Sequence, residues 1–412
     1  MRDHLRKRKI GVSLAECDLA NAQIELRWDE VKKLLLTPPH PEAYTFSVKN
    51  EEQNTFTLNY TLNDNRVQND FNELRKLKVE PLLKEWDFQC AVPQKVKDKK
   101  RYLLSNRCVG QRLSEKFNYL DRHSTKNVHH CSFLDTVNKE PRIAKIWHTS
   151  KNAKDFYEAA RRNSSLQTVV HFRASVCKFY CDLFKPRVVL DFCAGWGDRL
   201  TGFLASESVE KIVLIDPRGK GGETPATKLY EEQHKFVKSP KGLVTYNDGA
   251  ENVVRSRQFL NHEPFDMVIT SPPYFNLETY TSHGGGDSSL QAHTKFKNME
   301  TFKNEFLRPV LKAVVDHLKY DGYLVLNVDD NTNQNVFMCN AVIDITNNLD
   351  LELQHVDGLM SGRETNKAEP IFVFKKHSGT GRNKRARDEE KYEKKNTTEK
   401  EKVRDKDSCI IL

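Results

Sequence analysis

Between residues 153 and 376 the chain alternates short β-branched apolar runs with segments in which apolar residues recur every three or four positions. The first pattern is typical of buried strands and the second of amphipathic helices. The strands are predicted over 188–191, 211–216, 243–246, 265–270, 323–328, 351–356 and 371–375. Helices are predicted between the earlier strands, with one running through Leu318 before an Asp321-Gly322 turn and another over 336–347.

Strands that alternate with helices form a parallel sheet with helices on both faces. The last two strands have no helix between them, so they should pair as an antiparallel hairpin. We therefore predict a doubly wound α/β sheet that ends in an antiparallel hairpin, within a domain over residues 151–376. Residues 153–184 are predicted to be helices that lead into this sheet.

The segments on either side of this domain differ from it in amino-acid composition. Residues 1–150 are polar, carry basic runs such as 95–101 and show no repeat, so we predict an accessory region of unknown fold with a role in substrate recognition. Residues 377–412 are densely charged and almost free of apolar residues, which predicts a disordered tail. The tail ends in Cys409-Ile-Ile-Leu, a C-a-a-X box that predicts prenylation of Cys409.

Composition narrows the class of protein. Lysine and arginine number 66 against 57 acidic residues, giving a net charge of +9 that permits a polyanionic partner. The nine cysteines form no CxxC pair and fit no usual metal spacing, so reduced thiols and no metal are predicted. With neither a signal peptide nor an apolar run of the ~20 residues that a bilayer requires, an intracellular protein is expected.

Three acids stand at or just after successive predicted strands, where ligands bind in such sheets. Asp191 ends the first strand and is followed by a turn that contains Ala194, Gly195 and Gly197. The glycines allow positive φ and a close backbone approach to a ligand. Asp216 ends the second strand, at the place where a carboxylate contacts ribose hydroxyls. Asp248 follows the third strand, where it would accept from an adenine amino group.

The most specific signal is Ser271-Pro272-Pro273-Tyr274-Phe275, directly after the fourth strand. The two prolines fix the backbone, so the Ser271 hydroxyl and the Pro272 carbonyl become stiffly held hydrogen-bond acceptors. Two acceptors that grip the hydrogens of a base's exocyclic amine would favour the pyramidal nitrogen that attacks a methyl group. Tyr274 offers a face on which a flipped base can stack.

In these residues the chain resembles the S-adenosylmethionine-dependent amino-methyltransferases that act on DNA bases, over about residues 165–376. The resemblance implies a Rossmann-like methyltransferase sheet in which the turn binds the methionine part of the cofactor, Asp216 binds its ribose and Asp248 reads its adenine. It places the segment with Phe172 and Ser175 over the methionine end. Tyr274 and Phe275 are implied to contact the base, and Ser271 through Tyr274 form the catalytic tetrapeptide.

The resemblance also directs the choice of substrate, since the family's Ser-Pro-Pro-aromatic form is usual in cytosine-N4 enzymes and Asp/Asn-Pro-Pro-aromatic in adenine-N6 enzymes. We therefore expect methylation of cytosine N4 in DNA. The alternatives are adenine N6, then an RNA base or a protein amide, then a prenylated scaffold without catalysis. A nuclear or cytoplasmic location is expected, with membrane association through the prenyl group if Cys409 is modified.

Overall fold

The computed structural model describes residues 23–25, 45–49, 55–59, 64–82, 85–105, 107–125, 172–275, 288–330, 335–360 and 366–378. The strands are β1 Gln23–Glu25, β2 Thr45–Lys49, β3 Thr55–Asn59, β4 Asp87–Phe88, β5 Lys100–Leu104, β6 Val188–Asp191, β7 Lys211–Ile215, β8 Gly242–Tyr246, β9 Phe265–Thr270, β10 Leu318–Asn327, β11 Leu351–Met360 and β12 Lys367–Lys376. The α-helices are α1 Asp64–Lys76, α2 Gln94–Lys97, α3 Gln111–Ser124, α4 Ala174–Phe184, α5 Asp198–Ala205, α6 Ala226–Phe236, α7 Ala250–Val253, α8 Arg257–Leu260, α9 Ala292–Lys295, α10 Met299–Phe302, α11 Arg308–Asp316 and α12 Met338–Thr346.

A nine-stranded sheet forms the centre of the described fold, in the order β5-β11-β12-β10-β9-β6-β7-β8, with β4 paired to β12. The strands from β8 to β10 are parallel to one another. β12 is antiparallel to both of its neighbours, β10 and β11. The strands β1, β2 and β3 form a separate three-stranded sheet.

Apolar side chains cover both faces of the large sheet, as expected for a doubly wound fold. On one face, Val189 of β6 and Leu214 of β7 pack with residues of α1, α3, α4, α5 and α6. On the other, Leu190 and Val213 pack with residues of α7, α8, α10, α11 and α12. Neighbouring residues of a strand point to opposite faces, which is why these strands read as continuous apolar runs.

The predicted α/β fold and its antiparallel ending are confirmed. β6 and β9 have the predicted bounds, and the other predicted strands differ from β7, β8, β10, β11 and β12 by shifts at their ends. The predicted helix through Leu318 is wrong at its end, because α11 stops at Asp316 and β10 already begins at Leu318. Asp321 has a φ of 61°, so the expected turn exists as an irregularity within β10.

The boundary predicted at residue 150 does not coincide with the edge of the sheet. β5 pairs with β11 in parallel, and β4 pairs with β12. Leu113 of α3 and Phe71 of α1 are buried in the same core as α4. β11 pairs with β12 on one side, and β5 covers the other edge, which would otherwise be left without a partner strand.

Some predictions fall outside the described residues. These are the disordered tail beyond residue 378, the C-a-a-X cysteine Cys409 and most of the helical pattern over 153–184. Among the residues that the structure describes, none of the helices has the length and apolar character needed to cross a bilayer.

Candidate functional site

The predicted site residues gather at one edge of the sheet, because parallel strands end at the same edge. β6 lies between β9 and β7, and β8 follows β7. This order brings the turn after β6 next to the Ser-Pro-Pro-Tyr segment after β9 on one side and next to Asp216 on the other. Asp248 stands two residues beyond the end of β8. The sheet therefore assembles the predicted acids, glycines and proline segment along one line.

Both glycines of the turn after β6 use backbone conformations that favour glycine. Gly195 has a φ of 57° and Gly197 a φ of 78°. A Cβ on Gly195 would have nothing closer than the Cys193 carbonyl at 3.8 Å, so this stretch of backbone is open to a ligand. A Cβ on Gly197 would stand 2.6 Å from Nε2 of the fully buried Gln233. Gly195 thus leaves room for a ligand, whereas Gly197 is required by packing.

Asp191 lies beneath this turn and has no exposed surface. Its Oδ2 accepts from Arg199 Nε at 2.6 Å, and its Oδ1 accepts from the Cys193 backbone N–H at 3.2 Å. A buried carboxylate requires such a partner. The ion pair fixes the shape of the turn, so any effect of Asp191 on a bound cofactor is transmitted through the turn.

Asp216 connects the end of β7 to the same turn. Its Oδ2 accepts the Gly195 N–H at 2.7 Å and its Oδ1 accepts the Arg218 N–H at 2.9 Å. Burial raises the pKa of this carboxyl above its usual value, although these N–H groups and the Arg218 charge oppose the rise. Asp216 thus holds the turn in place from a position beside it.

Asp248 is the most accessible of the three acids, with 30% of its side chain exposed. Its Oδ2 lies 2.8 Å from Lys220 Nζ, and its Oδ1 accepts from the Gly249 N–H at 2.7 Å and from Asn252 Nδ2 at 3.1 Å. Burial alone would raise the pKa of Asp248, but these donors lower it below the usual value. The carboxylate therefore stays ionised at neutral pH and can accept a hydrogen bond from an amino group.

Helix α3 supports the turn, although it belongs to the region predicted to be accessory. Asn118 Nδ2 donates to the Trp196 carbonyl at 2.9 Å. Asp121 forms a buried ion pair with Arg218, whose guanidinium also lies 4.7 Å from the Trp196 ring centroid. Arg218 Nη2 donates to the Gly195 carbonyl at 3.2 Å. These contacts link α3 to both strand ends of the candidate cofactor site.

Two of the remaining cofactor-side predictions, Phe172 and Ala194, lie next to this turn. Phe172 is buried, and its ring centroid lies 5.2 Å from the Arg199 guanidinium. Ser175, in the first turn of α4, donates from Oγ to the Arg107 carbonyl at 3.2 Å. The Ala194 N–H donates to the Ile215 carbonyl at 3.0 Å, which joins the turn to β7. Phe172 is thus brought to the turn through Arg199, and Ala194 through β7.

The Ser-Pro-Pro-Tyr segment leaves β9 directly, since the strand ends at Thr270. Ser271 Oγ donates to Tyr274 Oη at 3.5 Å, Pro272 is buried, and Pro273 and Tyr274 are partly exposed. Phe275 adopts a φ of 54°, which is rare for an aromatic residue, and its ring packs 5.7 Å from that of Phe302. Strained backbone of this kind often occurs at functional sites.

A residue that the sequence did not reveal, Glu369 of β12, accepts a hydrogen bond from the Tyr274 hydroxyl. Burial raises the pKa of Glu369 to about 7 and raises that of Tyr274 well above its ordinary value. Tyr274 and Glu369 are 95 residues apart in the chain. No local motif marks Glu369, and only the antiparallel placement of β12 brings it here.

Cys90, Asp329 and Cys339 also come together without a sequence signal, with their ligand-type atoms within 4.8 Å of one another. Cys339 Sγ donates to Cys90 Sγ at 3.0 Å, and Asp329 accepts from Gln89 Nε2. Hydrogen bonds and packing account for these contacts. The absence of a metal site therefore stays a prediction.

A nucleoside-bearing cofactor fits this edge of the sheet. The Gly195 backbone is open, Asp216 lies beside it, and the ionised Asp248 lies beyond the next strand and is partly exposed. Thr270 Oγ1, at the end of β9, is buried and has no hydrogen-bond partner among the described residues. The edge thus offers open backbone at the turn, acids on one side of it and the Thr270 hydroxyl on the side of the proline segment.

Comparison with known proteins finds one protein family that matches part of the chain. The model of a DNA methylase family, N6_N4_Mtase, matches residues 265–409, a range that contains the Ser-Pro-Pro-Tyr segment and β10 to β12. No curated protein matches the chain significantly. The acids and glycines on the cofactor side precede the matched range, so their individual roles stay predictions.

Several solved structures are similar to part of the chain. The N-methyltransferase NodS from Bradyrhizobium japonicum is 10% identical, with a TM-score of 0.32 over 48% of this chain and 90% of its own. An rRNA methylase from Streptococcus thermophilus is 12% identical, with a TM-score of 0.32 over 51% and 99%. NSun6 from Pyrococcus horikoshii is 14% identical, with a TM-score of 0.35 over 51% and 53%. These TM-scores are below 0.5, so the fold is assigned from the sheet itself.

The family match confirms the resemblance predicted from the sequence and, with it, S-adenosylmethionine as the methyl donor. A DNA methylase family also implies a DNA substrate. It leaves the choice between cytosine N4 and adenine N6 open. Over residues 265–409 the chain is therefore similar to the N6/N4 family of DNA methylases.

Proposed function

We propose that the protein methylates the exocyclic N4 of cytosine in DNA. The observation that carries this proposal is the stiff Ser271-Pro272-Pro273-Tyr274 segment at the end of β9, next to the glycine turn of β6. Serine rather than an acid at the first position supports cytosine. Adenine N6 is the alternative that the same geometry serves.

The tetrapeptide would bind the amine that is methylated. The Ser271 Oγ and the Pro272 carbonyl accept the two amine hydrogens and draw the nitrogen lone pair out of conjugation with the ring. Because the two prolines fix φ, these acceptors need little reorganisation during the reaction. The Tyr274 ring stacks on the flipped base, with its orientation fixed by the hydrogen bond to Glu369.

On the other side of the turn, Asp216 would contact the ribose of the cofactor and Asp248 its adenine amino group. The turn around Gly195 would receive the methionine part, with Phe172 and Ser175 behind it. S-adenosylmethionine bound there would supply an electrophilic methyl group on its sulfonium sulfur, and the sulfur would keep the electron pair of the C–S bond. The residues of the chain orient the two reactants in line and exclude water.

Mass spectrometry of nucleosides tests the proposal. Unmethylated DNA and RNA are each incubated with the purified full-length protein and S-adenosylmethionine, and then digested to nucleosides. N4-methylcytosine in DNA is expected, and Tyr274→Ala should abolish it by removing the stacking ring. Tyr320→Ala is the matched control, because 51% of the Tyr320 surface is exposed to solvent.

Each other product has a distinct meaning. N6-methyladenine would retain the mechanism and overturn the inference from Ser271. Methylation confined to RNA would show that the substrate is RNA and not DNA. No methylated base in either polymer would refute the proposal in favour of a protein substrate or a scaffold without catalysis.

A further inference from the structure

The position of β12 brings a carboxylic acid to the candidate active site. Since β12 is antiparallel to β10, its first residues lie at the edge where β9 and β10 end. Glu369 is the third residue of β12 and stands opposite Leu359 of β11. The acid therefore approaches the Ser-Pro-Pro-Tyr segment from the far side of β10.

Hydrogen bonds connect Glu369 to the tetrapeptide in one direction. Ser271 Oγ donates to Tyr274 Oη at 3.5 Å, and Tyr274 Oη donates to Glu369 Oε1. The first contact lies at the long end of hydrogen-bond distances. Ser271 thus donates to Tyr274 and Tyr274 donates to Glu369, which is the order required to pass a proton from Ser271 to the acid.

The groups around Glu369 favour its acting near neutral pH. Asn327 at the end of β10 and Tyr274 both hydrogen-bond to it and lower its pKa, as does the charge of Arg173, which precedes α4. Burial and the negative charge of Asp329, just after β10, raise it. The balance is a pKa of about 7, at which a carboxylate can take up a proton and release it again.

The reaction requires such an acceptor. When the amine nitrogen forms its bond to the methyl carbon, it carries one hydrogen too many and must lose a proton. A serine hydroxyl can transmit that proton but cannot keep it, and the Pro272 carbonyl is a weak base. Glu369 is an acid that is hydrogen-bonded directly to a member of the tetrapeptide, the Tyr274 hydroxyl.

We infer that Glu369 is the final acceptor of the proton that leaves the methylated amine, acting through Ser271 and Tyr274. The proton passes from nitrogen to Ser271 Oγ as the Ser271 hydroxyl hydrogen passes to Tyr274 Oη and the Tyr274 hydrogen passes to Glu369 Oε1. Both hydroxyls are restored, and Glu369 ends as the neutral acid. This inference rests on the proposed base methylation and adds to it a residue outside the tetrapeptide.

The test is the pH dependence of single-turnover methyl transfer by the full-length protein on unmethylated DNA. In the wild type the rate should rise with pH and level off above a midpoint near 7, because the ionised carboxylate is the acceptor. Glu369→Gln keeps a hydrogen-bond acceptor for Tyr274 but cannot take a proton. We expect its rate to fall by a factor of about 100, with the midpoint near 7 abolished.

Three further variants separate a proton relay from a structural role. Tyr274→Phe keeps the stacking ring and removes the relay, so it should lower the rate by a similar factor, and the double variant should be no slower than either single one. Glu369→Asp should restore part of the rate together with the pH dependence. Glu352→Gln, an exposed glutamate on the neighbouring strand β11, is the matched control and should match the wild type.

Calorimetric binding of S-adenosylmethionine shows in parallel that each variant is folded. A Glu369→Gln protein that binds the cofactor and transfers methyl groups with the wild-type rate and pH profile would overturn the inference while leaving the proposed function intact. A wild type that binds the cofactor but methylates no base would overturn both.

Discussion

The carboxylate of Asp216 accepts the backbone N–H of Gly195 at 2.7 Å, which ties the end of β7 to the turn that follows β6. The acid therefore acts on the shape of the turn as well as on any ligand beside it. Its second oxygen is held by the Arg218 N–H at 2.9 Å, so the side chain is fixed from both sides.

Asp216→Asn should weaken the binding of S-adenosylmethionine about 10- to 100-fold, because the charged acceptor is removed and an amide NH₂ faces a backbone donor. Isothermal titration calorimetry measures the effect. Asp316→Asn, on an exposed acid of α11, is the control and should bind as the wild type does. Equal affinity in the Asp216 variant would contradict the role given to this carboxylate.

Gly197→Ala should destabilise the fold more than Gly221→Ala, although the two glycines have similar φ values of 78° and 76°. Both variants carry the cost of a left-handed alanine, roughly 1–2 kcal/mol. The Gly197 variant also forces its Cβ against the buried Gln233, whereas a Cβ at Gly221 meets nothing within 4 Å. Urea unfolding compares them, and equal destabilisation would show that Gln233 can move aside.

Asp121→Asn should reduce the free energy of unfolding by about 3–5 kcal/mol, because it leaves Arg218 without its buried partner. Lys312→Gln is the comparison, since the Lys312–Asp316 pair is about two-thirds exposed and should contribute about 1 kcal/mol or less. Denaturant titrations of both variants give the values. A reduction as small for Asp121→Asn as for Lys312→Gln would mean that α3 does not support the turn.

Glu369 should also make stability depend on pH. Its pKa is about 7 in the folded protein and near the ordinary 4.5 when unfolded, so the folded state binds more protons between these values. The wild type should therefore lose stability relative to Glu369→Gln as the pH rises from about 4.5 to about 7. Unfolding measurements at about pH 5 and about pH 8 test the sign, and a difference that stays constant would argue against the raised pKa.

The exposed lysines of α2 and the turn after it, Lys95, Lys97 and Lys99, should contribute to DNA binding if this face meets the substrate. Replacing all three with glutamine should weaken binding and reduce the slope of log affinity against log salt by about 0.9 for each phosphate that these lysines neutralise. Fluorescence anisotropy at several salt concentrations measures this. An unchanged slope would place the DNA on another surface.

The parts of the fold that follow from local pattern were predictable. Strands such as β6 and β9 are continuous apolar runs because both of their faces are buried, and the glycines after β6 indicate a turn by their residue type alone. β4 and β5 were not predictable in this way. They are short, and their place in the sheet depends on β11 and β12, which follow more than 200 residues later.

The residues of the candidate site likewise fall into those that a local motif reveals and those that only the folded chain brings together. Ser271 through Tyr274 form one contiguous motif, which the sequence displays directly. The residues that contact the site from elsewhere in the chain form no such motif. Asp121 is 97 residues from Arg218, and Glu369 is 95 residues from Tyr274. Their ionised or hydrogen-bonded states depend on burial, which only the assembled sheet creates.

The central position of β12 has a consequence for how the chain folds. This strand is the last of the sheet in sequence, yet it pairs with β10, β11 and β4. Until β12 joins the sheet, β10 and β11 each lack a neighbour on one side and β4 lacks its partner. Since contacts between distant parts of a chain are slow to form, completion of the sheet should be a late step of folding, and the site at its edge should mature only then.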